Sequence, residues 1–178
     1  MAWSLSPVFP GTPAYVEQAL SVAGRALYLA NAYESKCRFV LQIAELDAYV
    51  ERVPNASFAE ALAAASGQKL LGPIIARLSA VAGLDSDVTR ILDEAKSARN
   101  FIAHEGAAFG YVHGTRPAAV QSHLERLRHQ LRRLVPGDDL VSRWVYQIEE
   151  KEPPPTSPSH AYPALVETWV FYPVESAA

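Results

Sequence analysis

Residues 14–52 read AYVEQALSVAGRALYLANAYESKCRFVLQIAELDAYVER, a run with no proline and a single glycine, Gly24. Tyr15, Ala19, Val22/Ala23, Ala26 and Ala30 recur every three or four positions. Cys37, Val40/Leu41, Ala44 and Asp47/Ala48 continue the series after Asn31, where a break is expected. That is the period of a helix with one buried face. No alternation with a period of two appears before residue 160, so the reading of this stretch extends to the chain: an all-α protein.

Working outward, proline marks the borders. Pro7, Pro10 and Pro13 fill the start, and Pro153, Pro154, Pro155, Pro158, Pro163 and Pro173 fill the end. Pro54, Pro73, Pro117 and Pro136 divide the middle into helices, because proline suits a first turn and disrupts an interior. Ser57 and Glu60 form a capping box that opens an alanine-rich helix ending at Gly67. A short helix is predicted over 73–82, and Asp85 or Ser86 caps another over about 86–106. Pro117 starts a helix carrying a seam of Leu124, Leu127, Leu131 and Leu134 up to Pro136. A last helix over 138–150 starts at the acidic Gly137-Asp138-Asp139. The expected architecture is an up-and-down bundle of four to six helices over 14–151. A proline-containing leader (1–13) precedes it and a Pro-rich extended C-terminal tail (152–178) follows. Leu165–Tyr172, rich in strand formers, is predicted to pack as an extended segment or strand on the bundle, a dimer mate or a partner.

Composition narrows the function classes. With 178 residues, 49% hydrophobic and 20% charged, the chain supports a real core. The one cysteine, Cys37, cannot form an internal disulfide, and no Cys/His spacing matches a zinc site. No run of about 18 apolar residues exists and the N-terminus lacks a basic region, so a cytoplasmic protein with no membrane association is expected. The net charge of −3 sits wholly in the tail, in Glu152, Glu167 and Glu175. The neutral body excludes a globally basic nucleic-acid binder and leaves room for a local basic site.

The chemistry concentrates in Lys96-Ser-Ala-Arg99-Asn100-Phe-Ile-Ala-His104-Glu105. At about 100° per residue, with Lys96 at zero, Arg99 falls near −60°, Asn100 near +40° and His104 near +80°. Val88, Ala95, Ile102, Ile91 and Ala98 fall between about −80° and −160°. The helix thus buries one face and presents a polar sector elsewhere, with Ala103 leaving a gap in it. Asn100 and His104, at i and i+4, are close enough for the amide to orient the imidazole. A solvated helix face has the same composition, and spacing alone does not separate the two.

Arg99-Asn100-x3-His104 resembles the R-x4-H motif of the HEPN superfamily, including the frequent Asn after the Arg and the position on a late helix followed by another amphipathic one. The resemblance covers about residues 14–150, and its specific part is six residues. It implies a helical bundle that homodimerises and a metal-independent endoribonuclease without cofactors. Two copies of the motif would meet in one cleft, with His104 as general acid/base, Arg99 as phosphate ligand and Asn100 as positioner. It also implies a toxin–antitoxin or antiviral (phage) defence setting, with an antitoxin or defence complex as partner. One subgroup carries a tyrosine two residues after the histidine; here that residue is Gly106. The alternative is a catalytically inactive module of the same kind that binds RNA, a nucleotide or a partner protein. A purely structural subunit is the third reading.

Weaker candidates for RNA contact are Lys96, then Glu34, Lys36 and Arg38, which could line the same cleft. Arg126, Arg128, Arg132 and Arg133, with His123 and His129, form a candidate RNA-backbone footprint. A charged outer face on a leucine-seam helix explains those arginines equally well. His113 and His160 are assigned no role.

Overall fold

A computed structural model describes residues 13–65, 70–108, 116–154 and 161–173. All regular structure among them is helical: α1 (Ala14–Arg52), α2 (Phe58–Ala64), α3 (Leu71–Ala82), α4 (Ser86–Glu105), α5 (Pro117–Glu150) and α6 (Ala161–Phe171). The leader before Pro13, Gly67, His113 and His160 lie outside the described residues.

Local chemistry accounts for most boundaries. α1 runs unbroken through Asn31, since its buried positions Val16, Ala19, Val22, Ala26, Ala30, Tyr33, Cys37 and Val40 keep helical spacing across it. The capping box is formed: the Glu60 N–H donates to Ser57 Oγ and the Ser57 N–H donates to Glu60 Oε2 at 2.8 Å. α3 ends on Gly83 at φ 60°, a left-handed conformation that suits a residue without Cβ. The Asp85 carboxylate accepts from the Val88 N–H at 2.8 Å, at the start of α4. Pro117 is the first residue of α5, where no N–H is needed.

Besides the break at Asn31, two expectations are corrected. Pro136 does not separate two helices, because α5 passes through it to Glu150. Its missing N–H forfeits one backbone bond, yet Leu127, Leu131, Leu134, Asp138 and Val141 are all buried at helical spacing straight across it, and Pro136 itself is exposed. Likewise, the segment expected to be extended is α6. Pro163 sits in its first turn, and Val166 and Val170, one turn apart, are its two buried residues. Packing at that spacing overrides strand propensity. Pro153 and Pro154 follow α5 outside any helix, and residues 155–160 lie beyond the described ones.

The chain divides into two compact units. One comprises the described parts of residues 1–31, 97–135 and 156–178; the other comprises those of 32–96 and 136–155. α6 therefore belongs to the first. There Arg25 Nη1 donates to the carbonyls of Trp169 (3.2 Å) and Tyr172 (2.7 Å), satisfying acceptors at the C-terminal end of α6. Tyr28 meets Trp169 edge-on.

The second unit has an apolar core that includes Leu41, Ile74, Ile75, Leu78 and Leu92, with a few polar side chains set into it. Lys36 Nζ donates to Asp138 Oδ1 at 2.7 Å and to Ser142 Oγ at 2.9 Å, with Asp138 almost fully buried. The Tyr33 hydroxyl donates to the Leu92 carbonyl at 3.1 Å. Burial pushes the Cys37 thiol up to about 12. Buried Glu45 accepts from Arg77 Nε at 2.9 Å. α5 passes so close to α4 that a Cβ on Gly137 would lie 2.4 Å from the Ala95 Cβ.

Gly137→Ala should therefore lower unfolding free energy by about 1–2 kcal/mol in urea titration, overpacking outweighing the better helix propensity. Adding Ala95→Gly should recover part of the loss, since the two sites touch. A Gly137→Ala chain as stable as the parent would show that the helices separate there without penalty.

Candidate functional site

On the last turns of α4, Ala98 and Ile102 are buried, Arg99 and Ala103 half-buried, and Asn100 and His104 exposed. The wheel drawn from the sequence thus has the right phase, and its core extends to Leu92, which is fully buried. One detail differs. Arg99 Nη1 donates to Asn100 Oδ1 at 3.3 Å, and no hydrogen bond joins Asn100 to His104. A guanidinium is the stronger donor for that amide oxygen. His104 makes no hydrogen bond with another described residue and is exposed.

What fixes this end of α4 is a histidine on α5. His123 is 3% exposed, and its Nε2 lies 3.0 Å from the Gly106 carbonyl oxygen. A carbonyl only accepts, so Nε2 carries the hydrogen and Nδ1 accepts from Arg126 Nη2 at 3.1 Å. Phe101 stacks on the same imidazole at 6.2 Å between centroids. Gly106 is required here: a Cβ would lie 2.3 Å from the Ile102 carbonyl oxygen. Position 106 is thus closed to any side chain in this backbone. The signal for His123 was in the sequence, since stepping back four residues from buried Leu127 lands on it.

The four arginines of α5 do not form one patch. Measured from His123 at about 100° per residue, the buried Leu127, Leu131 and Leu134 span about 20° to 80°. Arg126 and Arg133 lie near −60° and −80°, Arg128 and Arg132 near 140° and 180°. The core stripe runs between the pairs. Arg126 is held by His123, and Arg133 donates to Gln130 Oε1 at 3.2 Å. Arg132 grips Glu167 of α6 with two parallel bonds of 2.9 and 3.0 Å, and Arg128 Nε lies 3.1 Å from the same carboxylate. Helical phase therefore divides the four arginines named from the sequence between the two margins of the leucine stripe, and Glu167 neutralises one side.

Glu34, Lys36, Arg38 and Lys96 fall in the second unit. Glu34 pairs with Arg38 at 3.0 Å, Lys36 is committed to Asp138 and Ser142, and Lys96 pairs with Asp93. Each of these side chains has a partner within its own unit. Among the described residues, no three His, Cys, Asp or Glu gather to hold a metal ion, and no helix is long and apolar enough to cross a membrane. Comparison with protein-family models, curated proteins and solved structures finds no match.

Two outcomes follow. His123→Leu should cost about 1–3 kcal/mol in thermal or urea unfolding by orphaning the Gly106 carbonyl; an unchanged midpoint would mean that the bond holds nothing. The Arg132 hydrogen bonds hold the Glu167 carboxyl below its ordinary range. A lowered folded-state value means that its contribution is complete above the unfolded-state value, about 4.3, and is lost as pH falls through the folded one. With Trp3 and Trp144 changed to Phe, Trp169 emission should shift in that acid window, and Glu167→Gln should remove the transition.

Proposed function

We propose that the end of α4 bearing Arg99, Asn100 and His104 is half of the active site of a metal-independent endoribonuclease of the HEPN type. The observation that carries this is the contrast across one polar sector of α4. His104, on one flank, is exposed and unbonded, while Arg99, five residues before it on the other flank, is half-buried and tied to Asn100. A proton carrier free to meet substrate thus shares the sector with a guanidinium that gives up part of its freedom before any substrate arrives.

Cleavage by the RNA's own 2′-hydroxyl requires that hydroxyl to lose a proton while its oxygen bonds to phosphorus. The bond to the 5′-oxygen breaks and that oxygen gains a proton, leaving a 2′,3′-cyclic phosphate. Imidazole exchanges protons near neutral pH. Arginine stays charged and matches two phosphoryl oxygens of the crowded transition state. One chain offers one imidazole for two proton transfers; a two-fold partner supplies the second. In this reading the homodimer places Asn100 and Ala103 near the axis. A cytoplasmic toxin–antitoxin or phage-defence role, with an antitoxin or defence complex as partner, follows the family's habits.

The second reading, an inactive module binding RNA, nucleotide or protein, draws on the pairing of Arg128 and Arg132 with Glu167, which leaves fewer cations for a long strand.

The test is cleavage of a labelled RNA by purified protein in EDTA. Arg99→Ala and His104→Ala should each lose at least about 100-fold in rate, with helicity unchanged and RNA still bound by His104→Ala. Ala103→Trp should block cleavage with unfolding free energy within about 1 kcal/mol of the parent. Binding without cleavage in the parent selects the inactive module. Equal cleavage by all variants ends the assignment of these residues.

A further inference from the structure

Glu167 is held as a phosphate would be. Arg132 presents Nε and Nη2 to its two oxygens at 3.0 and 2.9 Å, and Arg128, one turn earlier on α5, adds a second positive charge, its buried Nε 3.1 Å from the carboxylate without a hydrogen bond. Two parallel N–H donors facing two oxygens is the geometry arginine uses for carboxylate and phosphate alike. The Arg128 guanidinium lies over the Phe171 ring at 4.2 Å, which fixes its plane. The group stays open to solvent: the Arg132 side chain is 64% exposed and that of Glu167 is 32% exposed. α6 buries two side chains, Val166 and Val170, and is otherwise held by polar and aromatic contacts at its surface. A carboxylate held this way at the surface is displaceable by a competing anion.

We infer that Arg128 and Arg132 form a binding site for a backbone phosphate of an RNA strand, and that Glu167 is the chain's own competitor for it. The choice of RNA among phosphate-bearing ligands rests on the function proposed above; the arginine geometry does not. Arg126 and Arg133 are outside this site, on the opposite flank of α5. The apparent affinity of the intact protein is its intrinsic affinity reduced by the fraction of molecules in which the pair is open. Release of Glu167 therefore tightens binding by freeing two arginines that are already in place.

The experiment is a binding titration of the full chain with a fluorescein-labelled twelve-nucleotide single-stranded RNA over a range of salt. Glu167→Gln should bind at least about threefold tighter. The slope of log affinity against log salt should steepen by about 0.7, as one more phosphate is neutralised. Glu150→Gln, the loss of another exposed carboxylate, controls for net charge and should leave both unchanged. Adding Arg128→Ala and Arg132→Ala to Glu167→Gln should return affinity and slope to the parent values or below. Equal binding by Glu167→Gln and the parent overturns the inference, as does a gain that persists without the two arginines. Circular dichroism and the unfolding midpoint establish that each variant is folded, and inorganic phosphate as competitor tests whether the group recognised is the phosphate. Tighter binding by Glu167→Gln in a protein that never cleaves RNA would retain this site while refuting the ribonuclease, so the two failures are distinct.

Discussion

The hydrogen bond from His123 to the Gly106 carbonyl is the constraint on which the candidate site depends. Helix ends leave carbonyls without intrahelical donors, and a buried one must find a partner. Here the partner is an imidazole on the next helix, itself buried, stacked on Phe101 and occupied at its other nitrogen by Arg126. Three contacts on one ring leave the final turns of α4 little rotational freedom. Arg99, Asn100 and His104 therefore inherit their orientation from α5. A mobile helix end would spread the imidazole over many positions, whereas proton transfer requires hydrogen-bond reach. The backbone at that end also accounts for the glycine: a Cβ on residue 106 would run into the Ile102 carbonyl oxygen.

Much of the fold was legible because local chemistry and burial agree. The Ser57–Glu60 box, the Asp85 cap, Pro117 and the long apolar period of α1 each point to the element that forms. Pro136 misled because its local meaning and its packing diverge. The helix continues since Asp138, which no hydropathy pattern assigns to a core, is buried and paired with Lys36. A buried ion pair between residues 102 apart carries no periodic signal. α6 failed for a related reason. Its composition favours a strand, and its two buried valines become a helical pair only when α1 and α5 supply Arg25, Arg128 and Arg132 as partners.

The candidate site divides in the same way. The sequence placed the exposed edge of α4 correctly because a helical wheel needs nothing beyond the helix itself. It paired Asn100 with His104 on spacing, where the adjacent cation takes the amide oxygen instead. His123 was grouped with the arginines by proximity in sequence, although the phase of the leucine seam puts it with the core.

Proximity along a helix is a poor guide to proximity in space, and α5 makes the consequence concrete. Neighbouring residues diverge by about 100°, so a run dense in arginine distributes its charge around the cylinder. Where a leucine stripe must be buried, that charge is split between the two margins of the stripe, and the margins meet different surroundings. On one margin Arg126 completes the histidine clamp that orients α4. On the other, Arg128 and Arg132 hold α6 through a single carboxylate. A phosphate-bearing strand of the kind proposed above would therefore meet one margin at a time. On the margin of Arg128 and Arg132 the place a phosphate would take is held by the Glu167 carboxylate, itself an anion.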